Sequence, residues 1–226
     1  MTRGEIITRF RQENPEITTN VAADSVLQSW CEIGDKEIGT RVRLVKGDTT
    51  FAATVSQSSY TLTNEITNFY DIDEFPGGGV EYNANRLVLE TPSSLGEKRS
   101  SWGSASDGTP IDYYRRQGNL VLGRPPDATN NIKVWTVLIP NALDDDSKTP
   151  FNQLSYLEPY HYSLVLYLKM RIFMGKVKKK DQGAMAQQEY ESYINWMKKE
   201  INRGTYTPIQ LRPGTNYKGR SRYYTK

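Results

Sequence analysis

The sequence has a single cysteine and a single histidine. A lone Cys31 excludes an intrachain disulfide, and with it the stapled architecture of small secreted domains. A lone His161, without spaced cysteines, would leave a zinc site to carboxylates plus one imidazole, an uncommon ligand set. It also has no second histidine to share acid–base work, so a packed or surface imidazole is the expected role. No apolar run approaches the ~20 residues that a membrane-crossing helix needs, and no membrane partner is expected. "MTRGEIITRF" is charged from Arg3 onward, so no secretory signal is expected and assembly is expected in a cytoplasm. The last absence is local: no acidic residue follows Glu200.

What is present supports a packed core. The chain has 226 residues, 37% hydrophobic and 11% aromatic, which fits one domain carrying an arm and argues against wholesale disorder. A formal charge of +3 and a pI near 8.8 are mild, unlike a dedicated DNA-binding domain with one dominant basic face. The positive charge is concentrated late, in "GKVKKKD" and in the terminal stretch.

Periodicity gives the order of elements. Thr2 and Glu5 have capping-box spacing, and Ile6, Ile7 and Phe10 define an apolar face opposite Arg3, Arg9 and Arg11, so a helix is expected over about 2–13. A second is expected over about 23–42, with Leu27, Trp30, Cys31, Gly34 and Ile38 inward and Glu32, Asp35, Lys36 and Glu37 in water. From about 49 to 140 the period becomes twofold, in short β-branched and aromatic runs separated by polar turns. "DEFPGGGVEYNANRLVLE" reads as a hairpin with a pliable glycine-rich tip, and "PIDYYRRQGNLVLG" as a second hairpin turning at Gly118-Asn119. Two long helices follow, over about 159–179 and 181–202, with stripes Leu164, Val165, Leu168, Ile172 and Ala186, Tyr190, Ile194, Met197, Ile201. The expected class is α+β and mainly α: a helical bundle with a β-rich insertion between two helix pairs, then an extended arm.

Motifs for catalysis fail on context. "PGGGVE" lacks the Lys-Ser/Thr and the following helix of a phosphate-binding loop. "DDDSK" lacks the alternation, the glycine and the closing glutamate of a calcium loop, and reads as a solvated loop. Cys31, on an apolar stripe, reads as a small hydrophobe. No enzyme, cofactor or metal is therefore expected.

The arm, 204–226, is different. Tyr206, Ile209, Leu211, Arg212, Tyr217, Lys218, Arg220, Arg222, Tyr223 and Tyr224 combine sticky side chains with cations and have no helical period. Tyrosine and arginine are favoured interface anchors, so this segment is expected to order on a partner. Alternatively, the arm and "KVKKK" would bind nucleic acid through phosphate contacts.

Three blocks together resemble a known family. They are "RGEIITRFRQENPEI" with its Trp-bearing second helix, "GTPIDYYRRQGNLVLGRPPD" with "IKVWTVLIP", and "LEPYHYSLVLYLKMRIFMGK" with the helix after it. Their order is similar to that of the head-to-tail adaptor (head completion, or connector) proteins of tailed bacteriophages, the short-tailed type in particular. The resemblance implies a dodecameric ring of neighbouring copies below the portal protein, at the head–tail junction of the virion. It implies a channel for packaged double-stranded DNA during genome ejection, and a platform for tail or nozzle proteins. By the same resemblance residues 1–203 are the adaptor body and 204–226 bind the portal. Pro76, Gly77, Gly78 and Gly79 are then expected as a contact loop. An auxiliary peptidoglycan hydrolase using Glu158 or Asp144 to Asp146 is the enzymatic alternative, and no cleft for it is legible.

Overall fold

A computed structural model describes residues 1–74, 78–94, 106–116, 118–175 and 180–204. The helices are α1 (Arg3–Glu13), α2 (Asp24–Val42), the short α3 (Leu62–Glu65), α4 (Tyr162–Gly175) and α5 (Lys180–Gly204). The strands are β1 (Lys46–Ala52), β2 (Ser59–Thr61), β3 (Phe69–Ile72), β4 (Val80–Tyr82), β5 (Asn85–Arg86), β6 (Val88–Leu89), β7 (Asp112–Arg116), β8 (Asn119–Leu122) and β9 (Asn131–Leu138). The fold is α+β, 45% helical and 21% strand, so helix dominates.

The bundle is organised around α4. Every residue from Ser163 to Leu168 is buried, more than one full turn, because α1, α2 and α5 all pack on this helix. The sequence stripe was one face of a helix that is enclosed on several. α2 approaches it closely: a Cβ at Gly34 would lie 2.6 Å from the Tyr167 ring, so only glycine fits there. α5 adds Ala186, Tyr190, Ile194 and Met197, and Tyr167 meets Tyr190 edge-on at 5.7 Å. Polar pairs fix the register, with Tyr167 donating to Glu37 at 3.1 Å and Arg41 forming two hydrogen bonds to Glu191.

α1 starts on the capping box read from sequence, Thr2 and Glu5 each accepting from the other's backbone N–H. Two side chains assigned to water are buried instead. Arg3 donates to Asp146 at 2.7 Å and to the Leu143 carbonyl at 2.6 Å. The backbone N–H groups of Arg3 and Gly4 donate to Lys148 and Asp146, so the "DDDSK" loop caps α1 as well as meeting solvent. Asp35 is the second, and its Oδ1 accepts from the backbone N–H of Phe151 at 2.9 Å.

α4 begins at Tyr162, later than the sequence reading, because Ser155–Tyr160 forms a tighter 3-10 turn with Pro159 inside it. Just before it, Phe151, Asn152 and Gln153 have φ of 53°, 59° and 60°, a turn of left-handed backbone without glycine. Such backbone costs about 1–2 kcal/mol per residue. It is held by the Asp35 bond, by the buried Phe151 ring, and by Asn152 accepting from Asn141 N–H at 2.6 Å.

Among the described residues the strands form a five-stranded and a four-stranded sheet, whose inward side chains share one apolar cluster that includes Tyr60, Ile72, Tyr82, Tyr113, Leu120 and Val134. β9 is central to the first, with β1 along one side and both β3 and β4 along the other. This corrects the first hairpin. β3 and β4 do not pair with each other; both run antiparallel to β9, so the chain leaves the edge and resumes in the same direction. Asp73 donates to the Trp135 carbonyl at 2.8 Å and Gly79 accepts from Trp135 N–H at 3.0 Å, so one residue pins both ends of the excursion. The true hairpin turn is at Asn83 and Ala84, φ 48° and 61°, joining β4 to β5. The second hairpin is shifted by one residue: Asn119 pairs with Arg116 and belongs to β8, leaving Gly118 (φ 81°) in the turn.

The two parts are tied through Arg43. It ends α2 in left-handed backbone (φ 61°), and its guanidinium reaches Asp71 of β3 at 2.7 Å and the Ile72 carbonyl at 2.9 Å. Arg115 of β7 bonds the same Asp71, so one carboxylate links the bundle to both sheets.

Candidate assembly surfaces

Residues 205–226, which hold all the arm assignments from Tyr206 to Tyr224, lie outside the described residues, as do Pro76 and Gly77. The other two loop glycines are described. Gly78 and Gly79 are buried, so they are not an exposed tip. Gly79 has φ 111°, a conformation that side-chain-bearing residues rarely adopt, while the nearest atom to an added Cβ is 3.5 Å away. Gly79→Ala is therefore expected to destabilise through backbone strain alone, by about 1–3 kcal/mol in denaturant unfolding.

The arm begins where the core ends. Ile194 and Met197 are fully buried and Ile201 is half-buried, so the buried stripe of α5 weakens at Ile201. One apolar exposure lies on the sheet part: Val88, Leu89 and Ile111 are exposed at the edge made by β6. A groove lined by Asn14, Lys169, Phe173, Met185 and Glu189 offers no free charge pair for chemistry, since its lysine is paired with its glutamate at 2.7 Å.

A second surface was not legible in the sequence. Tyr160, Tyr162, Tyr193 and Trp196 form a run of ring contacts, Tyr160–Trp196 at 5.9 Å, Trp196–Tyr193 at 5.1 Å and Tyr193–Tyr162 at 5.9 Å. Trp196 is 43% exposed, so the run is open to solvent at that ring. Arg9 of α1 stands over Tyr162 at 4.6 Å, and Tyr162 donates to Glu13 at 3.0 Å. The only sequence signal was tyrosine density around His161.

The reactive side chains are held away from these surfaces. Cys31 is buried and its thiol is pushed up to about 12 by burial, so it carries no thiolate at neutral pH. His161 is 1% exposed and lies 2.8 Å from the amine of Met1. Burial lowers its pKa to about 4, with the neighbouring amine acting in the same direction, so the imidazole is neutral. Burial raises Asp35 to about 7 against the opposing Phe151 hydrogen bond. Among the described residues no group of His, Cys, Asp and Glu could hold a metal ion, and no helix is long and apolar enough to cross a membrane.

The chain is a helical body with a β-rich insertion and exposed aromatic side chains, and has no metal-binding group among the described residues. The family model of the SU10 adaptor protein matches residues 1–213, and the chain belongs to that family. It is thus a structural adaptor protein of a bacteriophage, a virion component that meets other structural proteins such as portal and tail. Comparison with curated proteins gives no match.

Proposed function

We propose that the chain forms the ring between portal and tail, closing the packaged head, extending the DNA channel and carrying the tail. The observation that carries this reading is where the family match ends. It runs to residue 213, nine positions past Gly204, where α5 stops, so the family pattern includes the start of the arm as well as the folded body. A segment rich in Tyr and Arg and without helical period has a physical role when a partner supplies its surface. In this reading residues 204–226 bind the portal, neighbouring copies complete a dodecamer, and the loop between Asp73 and Gly79 meets tail proteins or neighbours, its two buried glycines excepted. Assembly takes place in the host cytoplasm.

The free protein is expected to be monomeric, because a ring closed in advance could not seat on its template. Mass photometry of the protein alone and with purified portal tests this, with cryo-EM of the mixture for the subunit count. A stable ring without portal, or a portal left undecorated by excess protein, overturns the proposal.

A further inference from the structure

We infer that Arg86 and Tyr113 form a binding site for a carboxylate, an Asp or Glu side chain carried by an extended segment of a protein partner. That the carrier is a virion protein rests on the assembly reading above; the site itself does not. It lies where one stretch of chain passes from the first sheet to the second. Arg86 of β5 is paired with β4, and Val88 and Leu89 of β6 are paired with β7. Leu87, between them, donates to the Val80 carbonyl at 2.8 Å, so the backbone beneath the site is fixed.

Three donor atoms converge over Gly79. A Cβ built there would lie 3.5 Å from Arg86 Nη2, 3.8 Å from Arg86 Nε and 3.7 Å from the Tyr113 hydroxyl, and glycine leaves that point without a side chain. Burial, with the Glu74 charge second, pushes Tyr113 up to about 12, so its hydroxyl keeps its proton and donates at neutral pH. A guanidinium fork with a phenol beside it matches the two oxygens of a carboxylate.

The chain's own acids do not fill this position. Glu74 borders the same cleft, but its carboxylate pairs with Arg115 at 3.1 Å. Asp71 is held by Arg43 and Arg115. Glu81 stands opposite Arg86 in the β4–β5 ladder, yet the guanidinium leans over Gly79 instead, and among the described residues Arg86 forms no ion pair.

The rest of the wall favours a peptide over nucleic acid. Leu87, Val88 and Leu89 line the cleft, and Val88 and Leu89 are 57% and 42% exposed. Apolar side chains on either side of an acidic one would cover them. A phosphate backbone is held by several accessible cations, whereas Arg86 is the one cation lining the cleft among the described residues.

The test is an NMR titration of the full chain, reading the backbone amides of Gly79 and Leu89. The probes are the peptide acetyl-Leu-Asp-Leu-amide, its Asn counterpart and inorganic phosphate. Saturable binding of the Asp peptide in the millimolar range is expected, with the Asn peptide about tenfold weaker. Arg86→Gln, at an exposed position, is expected to weaken the Asp peptide about tenfold, and Tyr113→Phe, which keeps the buried ring, about fivefold. Far-ultraviolet circular dichroism checks that both variants are folded. No saturable shift with the Asp peptide overturns the inference, as do equal binding of the two peptides and unchanged affinity in Arg86→Gln. Phosphate binding more tightly than the Asp peptide overturns the carboxylate assignment and gives the site to nucleic acid. The titration contains neither portal nor tail protein, so its failure is distinguishable from a failure of the ring reading, which mass photometry with portal decides.

Discussion

A chain lacking residues 205–226 is expected to leave portals bare while its body stays folded. The apolar contacts of α5 are made by Ala186, Tyr190, Ile194 and Met197, all N-terminal to the cut. Within the arm, Tyr217, Tyr223 and Tyr224 are the expected anchors. Losing one well-buried aromatic anchor costs on the order of 2 kcal/mol, and a ring repeats that loss at each subunit. Arg212, Arg220 and Arg222 would pair with acidic portal groups, making attachment partly salt-sensitive. The deletion, a triple Tyr→Ala and a triple Arg→Gln are to be mixed with portal and their occupancy counted by cryo-EM. Wild-type occupancy by the deletion variant would remove the arm from the interface. Loss confined to the arginine variant would instead point to phosphate contacts, since these depend on cations far more than on tyrosines.

The second large effect is a pH dependence that Asp35→Asn exposes. Asp35 has its folded pKa raised to about 7, so between pH ~4 and 7 the folded chain holds a proton that the unfolded chain releases. Stability from this group therefore falls as pH rises through that window. His161, lowered to about 4, works the other way: the unfolded chain binds the extra proton between pH ~4 and 6.5, so stability rises with pH. The two contributions oppose each other and the wild-type profile is flattened. Asparagine keeps the oxygen that accepts from Phe151 and cannot ionise. Asp35→Asn is expected to gain on wild type by about 1.4 kcal/mol per pH unit, on the order of 4 kcal/mol from pH 4 to 7. Urea unfolding across that range measures it. Parallel curves for the two proteins would show that Asp35 is not held neutral.

The helices were legible because their signals are local. Thr2 and Glu5 cap α1 through neighbours three positions apart, and the stripes of α2, α4 and α5 follow from the helical period. What was not legible depends on partners far along the chain. Arg3 and Asp35 look solvated until Asp146 and Phe151 arrive, 143 and 116 positions away. Gly79 suits a hairpin tip equally well as a strand re-entering beside Trp135, and only β9 decides between them. Asn83-Ala84-Asn85 carried the correct turn signal, an asparagine where φ is positive, and was overshadowed by three glycines. The left-handed turn at Phe151 to Gln153 has no glycine to announce it. For the surfaces, the composition of the arm was readable as interface-forming, whereas the aromatic run joins Tyr160 of the 3-10 turn to Trp196 and Tyr193 of α5, and the tyrosines around His161 do not reveal that pairing.

The pinning of Asp73 and Gly79 to a single residue of β9 makes the fold insensitive to the length of the loop between them. The ladder on either side is closed by Trp135 whatever lies between. Doubling the length of a flexible loop adds only about 0.6 kcal/mol of closure entropy, so insertions there leave β3, β4 and the shared apolar cluster in register. Length changes in this segment are therefore decoupled from the sheet beneath it and from the bundle attached through Arg43.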